Sequence, residues 1–324
     1  MLIGISLGSV DIDIIKVVEV VFGGGSSTYR QIIWNIRAPR VISAALAGIA
    51  LAVSGTAMQS ILRNPMGSPF TLGISQAASF GVAFSIIILG AGSVQSSSSD
   101  AILILNPYIV TIVAFISCLL STGAILVLLK LKKPTAETMI LMGIMLGSLF
   151  SACTTALEYF ADDVQLASII FWTFGDLSRA DWKHCLILTI IVIPATIYFF
   201  KNSWNYNALN AGDETATSLG VNTNTIRIRG MIIASLATAV TVSFFGIIAF
   251  IGLVVPHIVR KFVGGDERFL IPSSALFGGF FLLMCDTIAR TIIAPIVLPV
   301  GILTSFIGAP LFLYLLLKRG DNQL

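Results

Sequence analysis

The sequence predicts an all-α membrane protein, a polytopic bundle of about nine or ten transmembrane helices, and three observations carry the prediction. Of 324 residues, 56% are hydrophobic and only 11% charged, against roughly a quarter charged in an average soluble domain. The mean hydropathy is +0.96. Apolar runs of roughly 20 residues, enough for a helix to cross about 30 Å of hydrocarbon, recur along the whole chain. Their continuity argues for one helical unit over residues 1–324 rather than two soluble domains.

Residues 1–10 are apolar, but ten residues rise only about 15 Å as a helix, so a first span is expected to be truncated or partial. Full runs follow near 41–61, 70–91, 107–131, 138–160, 185–201, 228–249, 272–293 and 299–317. A shorter piece at 250–262 can cross only if neighbouring helices bury it. The segments 91–106 and 159–184 read as solvated connectors. The one sizeable polar connector, 202–227, has no apolar run; Asp213 to Leu219 suits a short helix, with Gly220 as its C-terminal stop.

Loop charge orients the chain. If the 61–69 loop faces the cytoplasm and sides alternate, twelve Lys and Arg fall inside and seven outside, which places the C-terminus inside. Small residues recur every four positions at Gly143, Gly147, Ser151 and Thr155, and likewise at Ala44, Gly48 and Ala52. Such stripes let backbones approach closely, because lipid gives no hydrophobic reward for helix association. The 143–155 stripe also suits a smooth wall for a large solute.

Several functions are excluded or unsupported. No GxxxxGK[ST] motif occurs, so a P-loop ATPase is not expected in this chain. The net charge of +3 is too weak and dispersed for nucleic acid. Four isolated cysteines and two distant histidines, His184 and His257, form no metal-ligand spacing, and no metal or cofactor is expected. Glu158, Asp286 and Arg290 read as span-end residues near water, which leaves no intramembrane carboxylate for a gradient-driven carrier. A membrane-embedded enzyme would need a buried nucleophile or metal cluster, and neither is evident.

The motifs themselves carry a resemblance. Arg37-Ala-Pro-Arg40 opens a span, followed by Gly55, Met58-Gln59, Asn64-Pro65, Pro69 and Leu72-Gly73. Gly212-Asp-Glu-Thr-Ala and Leu219-Gly-Val come next, then Phe250-Ile-Gly-Leu-Val-Val-Pro256-His257-Ile-Val-Arg260 and Asp286-Thr-Ile-Ala-Arg290. Leu298-Pro-Val-Gly301, Thr304, Gly308 and Pro310-Leu-Phe close the set. In order and spacing this resembles the FecCD-type permeases of ABC importers, from about Leu7 to Lys318. The chain departs from that pattern in its short first span and in Gln76, where the family often has glycine.

The resemblance implies a homodimeric permease in the cell membrane, two attached ATPase subunits that hydrolyse ATP, and an extracytoplasmic solute-binding protein. It implies a metal-chelate cargo of the iron-siderophore, haem or cobalamin type, with oxyanions in some members. Arg37, Arg40 and Arg290 are then expected to receive acidic side chains of the binding protein, as the forked guanidinium suits. A coupling segment near 205–222, with Asp213, Glu214, Thr215, Leu219 and Gly220, is expected to seat in the ATPase. Pro134, Thr135 and Thr138 are candidate inner-gate residues beside the 143–155 wall. Asn64, Pro65, Pro256, His257 and Arg260 are expected to be structural. An ion-gradient-driven secondary transporter is the alternative.

Overall fold

The structure, a computed structural model, describes residues 1–8, 12–97, 100–131 and 135–320. Three short helices, α1 (Leu2–Ser6), α2 (Ile14–Val21) and α3 (Ser27–Gln31), lead through a π-helical turn, Ile32–Arg37, into α4 (Ala38–Ile61). A 3-10 turn, Pro69–Leu72, precedes α5 (Ile74–Ile87), and a hairpin of β1 (Gly92–Ser97) and β2 (Asp100–Leu105) precedes α6 (Pro107–Leu131). Then come α7 (Ala136–Glu158), α8 (Asp163–Thr173), α9 (Trp182–Lys201), α10 (Ser203–Asn210) and α11 (Asp213–Ser218). The chain ends with α12 (Thr223–Phe245), α13 (Ile251–Val263), α14 (Glu267–Thr291) and α15 (Val300–Gly320).

Among the described residues, six helices are long and apolar enough to cross a membrane: the continuous Ser27–Ile61, Pro107–Leu129, Ala136–Glu158, Trp182–Lys201, Thr223–Phe245 and Glu267–Thr291. The count of nine or ten would be made up from shorter apolar helices, among them Ile74–Ile87 and Val300–Tyr314. At 13 residues α13 rises about 20 Å, and α12 and α14 flank it in sequence.

Two connectors expected to be plain loops are corrected. Residues 92–105 pair as an antiparallel hairpin, Gly92 opposite Leu105 and Ser97 opposite Asp100. The 159–184 stretch contains α8, opened by a reciprocal capping box between Asp162 and Gln165 that satisfies two orphan helix N–H groups. Ile169 and Trp172 bury its inner face. Eleven residues are too few to register as a spanning run.

α4 is the hub. It packs against α14, α12, α9 and α13, and close approach rather than bulky side chains makes the contact. A Cβ on Gly48 would overlap the Gly278 carbonyl of α14, and one on Gly55 the Gly252 carbonyl of α13. Here the small-residue stripe through Ala44, Gly48 and Ala52 is a packing face, all three being buried. The 24 residues of α4 rise about 36 Å, so its two ends lie on opposite sides of the bundle.

Candidate functional site

At one end of the α4–α14 pair sit the three arginines singled out from sequence. They come together, but not on an open rim: Arg37, Arg40 and Arg290 are 5%, 7% and 5% exposed. Arg40 donates from Nε and Nη2 to Asp286 Oδ1 at 2.9 and 2.8 Å. Arg290 Nε pairs with Asp286 Oδ2 at 3.0 Å. Arg37 Nη1 donates to the carbonyls of Ile5 and Ser6 at 2.7 and 2.8 Å. Arg290 reaches the carbonyls of Leu7 and Gly4 at 3.1 and 3.0 Å. The expectation that Asp286 and Arg290 lie near water is therefore corrected, Asp286 being fully buried. The sequence signal for the pair is the i, i+4 spacing of Asp286 and Arg290, which puts both on one helix face but does not reveal the burial.

At the opposite end, the two motif sets read as structural meet each other. Asn64 Oδ1 accepts from the Met66 N–H at 2.8 Å, shaping the turn after α4. The Pro65 carbonyl lies 2.9 Å from His257 Nε2, and the His257 ring packs edge-on to Phe312 with centroids 5.5 Å apart. Arg260 donates to Gln59 Oε1 at 3.0 Å. Pro256 lies inside α13 and is buried.

The polar connector forms two helices rather than one. α11 begins at Asp213, whose carboxylate takes both prongs of Arg227, Nη1 at 2.8 Å and Nη2 at 2.6 Å. Arg63 stands 3.7 Å away. The Arg227 hydrogen bonds hold the Asp213 carboxyl below its ordinary value. Gly220 adopts φ +82°, as a left-handed helix stop requires. Beyond this anchor the segment is open: Glu214 and Thr215 are exposed, and Leu219 is 68% exposed. A cavity of about 500 Å³ joins Asp213, Arg227 and Arg63 to Thr135 and Glu137 at the start of α7. Thr135 caps α7 by accepting from the Thr138 N–H at 3.2 Å. Pro134 lies outside the described residues.

The four-residue stripe on α7 does not form a single wall. Gly143 and Gly147 are buried against the turn at 71–73, where a Cβ on Gly143 would overlap the Thr71 carbonyl. Gln76 lies beside Gly147. Ser151 and Thr155 are exposed instead. The expectation of one continuous solute-facing surface is corrected, because the 3.6-residue repeat carries an every-fourth-residue stripe slowly around the helix. A second cavity, about 480 Å³, lies between α8, the 246–250 link and α15, lined by Thr173, Phe174, Ile247, Ala249, Ser305 and Phe306. Sequence reading missed it with α8.

Apolar spans carrying a polar cluster at each end of a tightly packed helix pair define a multi-spanning membrane protein. The chain belongs to the FecCD transport family, whose model matches residues 1–318, and is thus a permease subunit of an ABC importer. It is 55% identical over 312 residues to a protein of Methanocaldococcus jannaschii described as an ABC transporter permease, covering 96% of this chain and 89% of that one. It is 38% identical over 292 residues to the hemin transport system permease protein of Yersinia pestis, covering 90% and 85%. The vitamin B12 import system permease protein of Vibrio vulnificus is 32% identical over 300 residues, covering 93% and 87%. Among solved structures, a metal-chelate type ABC transporter in an inward-facing conformation superposes with a TM-score of 0.84 at 27% identity, covering 98% of this chain and 94% of that one.

Proposed function

We propose that this chain translocates a metal chelate of the haem, iron-siderophore or cobalamin type, received from an extracytoplasmic binding protein, as half of a homodimer driven by two ATPase subunits. In this reading residues 1–324 form one permease domain in the cell membrane with the α10–α11 end and the C-terminus cytoplasmic. The observation that carries it is the α10–α11 platform: an exposed tip with Leu219 outward, anchored to α12 by the Asp213–Arg227 fork. An exposed apolar side chain on a short, rigidly held helix suits insertion into a partner's cleft. The named cargoes of the relatives, hemin and vitamin B12, and the metal-chelate transporter of the same fold support the solute class.

Docking of the binding protein belongs, in this proposal, to the arginine end. Arg37 and Arg290 already spend donors on backbone carbonyls of residues 4–7. An incoming carboxylate would exchange those for forked guanidinium–carboxylate pairs, which add bidentate geometry and the attraction of opposite charges. The gradient-driven alternative is not favoured, because the 55% identical relative is described as an ABC transporter permease and the structural neighbour is an ABC transporter.

The test is reconstitution. Proteoliposomes holding this chain with its cognate ATPase and binding protein should accumulate hemin, a ferric siderophore or cyanocobalamin only with ATP, and the purified chain alone should hydrolyse none. Accumulation by the chain alone from a proton or sodium gradient would overturn the reading.

A further inference from the structure

Glu267 opens α14 at the end that carries α10–α11, and it is fully buried. Its Oε1 accepts from Ser60 Oγ of α4 at 2.8 Å and from Asn210 Nδ2 of α10 at 3.2 Å. Asn210 Nδ2 also lies 3.2 Å from Ser60 Oγ, so α4, α10 and α14 share one polar junction. One turn earlier on α10, Asn207 brackets the start of α14. Its Nδ2 donates to the helix-capping Asp266 Oδ1 at 2.7 Å, and its Oδ1 accepts from the Glu267 N–H at 2.8 Å. Tyr206, the residue before Asn207, is buried with its phenol against Gly230 of α12. These contacts hold α10 independently of the Asp213–Arg227 fork that holds α11.

Desolvating a carboxylate is costly, and a well-packed apolar side chain would close such a junction more cheaply. What a carboxylate adds is directional grip on two donors from two different helices. The helices it joins have little room to slide past one another. Farther along, Gly48 meets the Gly278 carbonyl backbone to backbone, and at the far end Arg40 grips Asp286. The pair is therefore tied at both ends and closely packed between them.

We propose that Glu267 is a positioning residue for transport: it clamps α10 to the near ends of α4 and α14, so that displacement of the coupling segment moves those two helices as one body. This deepens the ABC-permease reading and rests on it for its transport consequence. The clamp itself can be read without any partner.

Hydrogen exchange on the purified chain in detergent tests the clamp. Glu267→Ala should raise amide exchange across Ser203–Asn210 at least tenfold, while Asp213–Ser218, held by Arg227, changes less than threefold. Glu267→Gln keeps an acceptor oxygen for Ser60 and Asn210 and should restore protection to within threefold of wild type. Asn210→Ala, which cuts only the α10 side and leaves Ser60 on Glu267, should reproduce the α10 effect in a chain that folds. In the reconstituted complex, Glu267→Ala and Asn210→Ala should each lower solute accumulated per ATP hydrolysed at least fivefold, with Glu267→Gln within twofold of wild type. Unchanged α10 exchange in both Glu267→Ala and Asn210→Ala, or accumulation per ATP at the wild-type ratio in both, overturns the proposal. A wild-type complex that shows no ATP-driven uptake would instead bring down the transport reading, and the exchange result would still decide whether the clamp exists.

Discussion

Asp286 illustrates what a single residue contributes and what a linear reading misses. Two arginines converge on one fully buried carboxylate. Such a group does little for net stability but penalises loss of either partner, typically by about 3–5 kcal/mol. From sequence the arginines were identifiable as a set, whereas their burial was not, because the carbonyls that satisfy Arg37 come from residues 5 and 6, more than 30 positions away. Asp213 is the opposite case: its place at the start of a short helix was legible, and only its partner was hidden. Because Arg227 lowers the folded carboxyl value, the contact stabilises fully above the unfolded carboxylate pKa of about 3.9 and is lost as pH falls through the lower folded value. Hydrogen exchange of Thr215–Ser218 should therefore stay flat from pH 7 to pH 5 after correction for intrinsic rate, and rise only under strongly acidic conditions. Asp213→Asn should show the raised exchange throughout; a rise near pH 5 in the wild type would contradict the assignment.

At the scale of elements, hydropathy located most long helices to within a few residues, because crossing hydrocarbon imposes both length and composition. It failed where the controlling signal is local. α8 is announced by a capping box rather than a long apolar run, and the apolar stretch of the hairpin, residues 101–105, is too short to register as a span. The π-turn at Ile32–Arg37 adds residues ahead of α4, and the continuous helical stretch reaches 35 residues, longer than a bilayer core requires. Trp182 Nε1 fastens that turn to α9 through the Trp34 carbonyl at 2.8 Å. Helix contacts rest on backbone proximity, which gives a sharp contrast between two glycines. Gly55→Ala forces a methyl into the Gly252 backbone, an overpacking that should cost at least about 1–3 kcal/mol. Gly123 in α6 has open space around its absent Cβ, so Gly123→Ala should be neutral or stabilise by about 0.5–1 kcal/mol through helix propensity. Thermal unfolding of the two variants in the same detergent measures this, and equal midpoints would refute the packing account.

For the molecule as a whole, the motif order identified the family, but not which faces look inward. The α7 stripe shows why: sequence period alone cannot tell a packing glycine from a lining serine, and the neighbouring turn at 71–73 decides between them. With Gly143 and Gly147 committed to packing, the exposed continuation at Ser151 and Thr155 is what remains of that stripe for the pathway that the proposed homodimer would enclose. A bulky side chain separates the two roles. Thr155→Trp adds volume on an open face, so the chain should fold and assemble normally while ATP-driven solute accumulation falls at least fivefold. Gly143→Trp collides with the Thr71 backbone, and should instead lower the yield of folded chain before any transport is measured. Both are read from the same preparation, as monodisperse yield and as accumulation per assembled complex. Wild-type accumulation by Thr155→Trp would remove this face from the pathway and direct attention to the cavity beside α8, whose wall residue Phe174 lies in the 159–184 stretch that the apolar-run reading took for a connector.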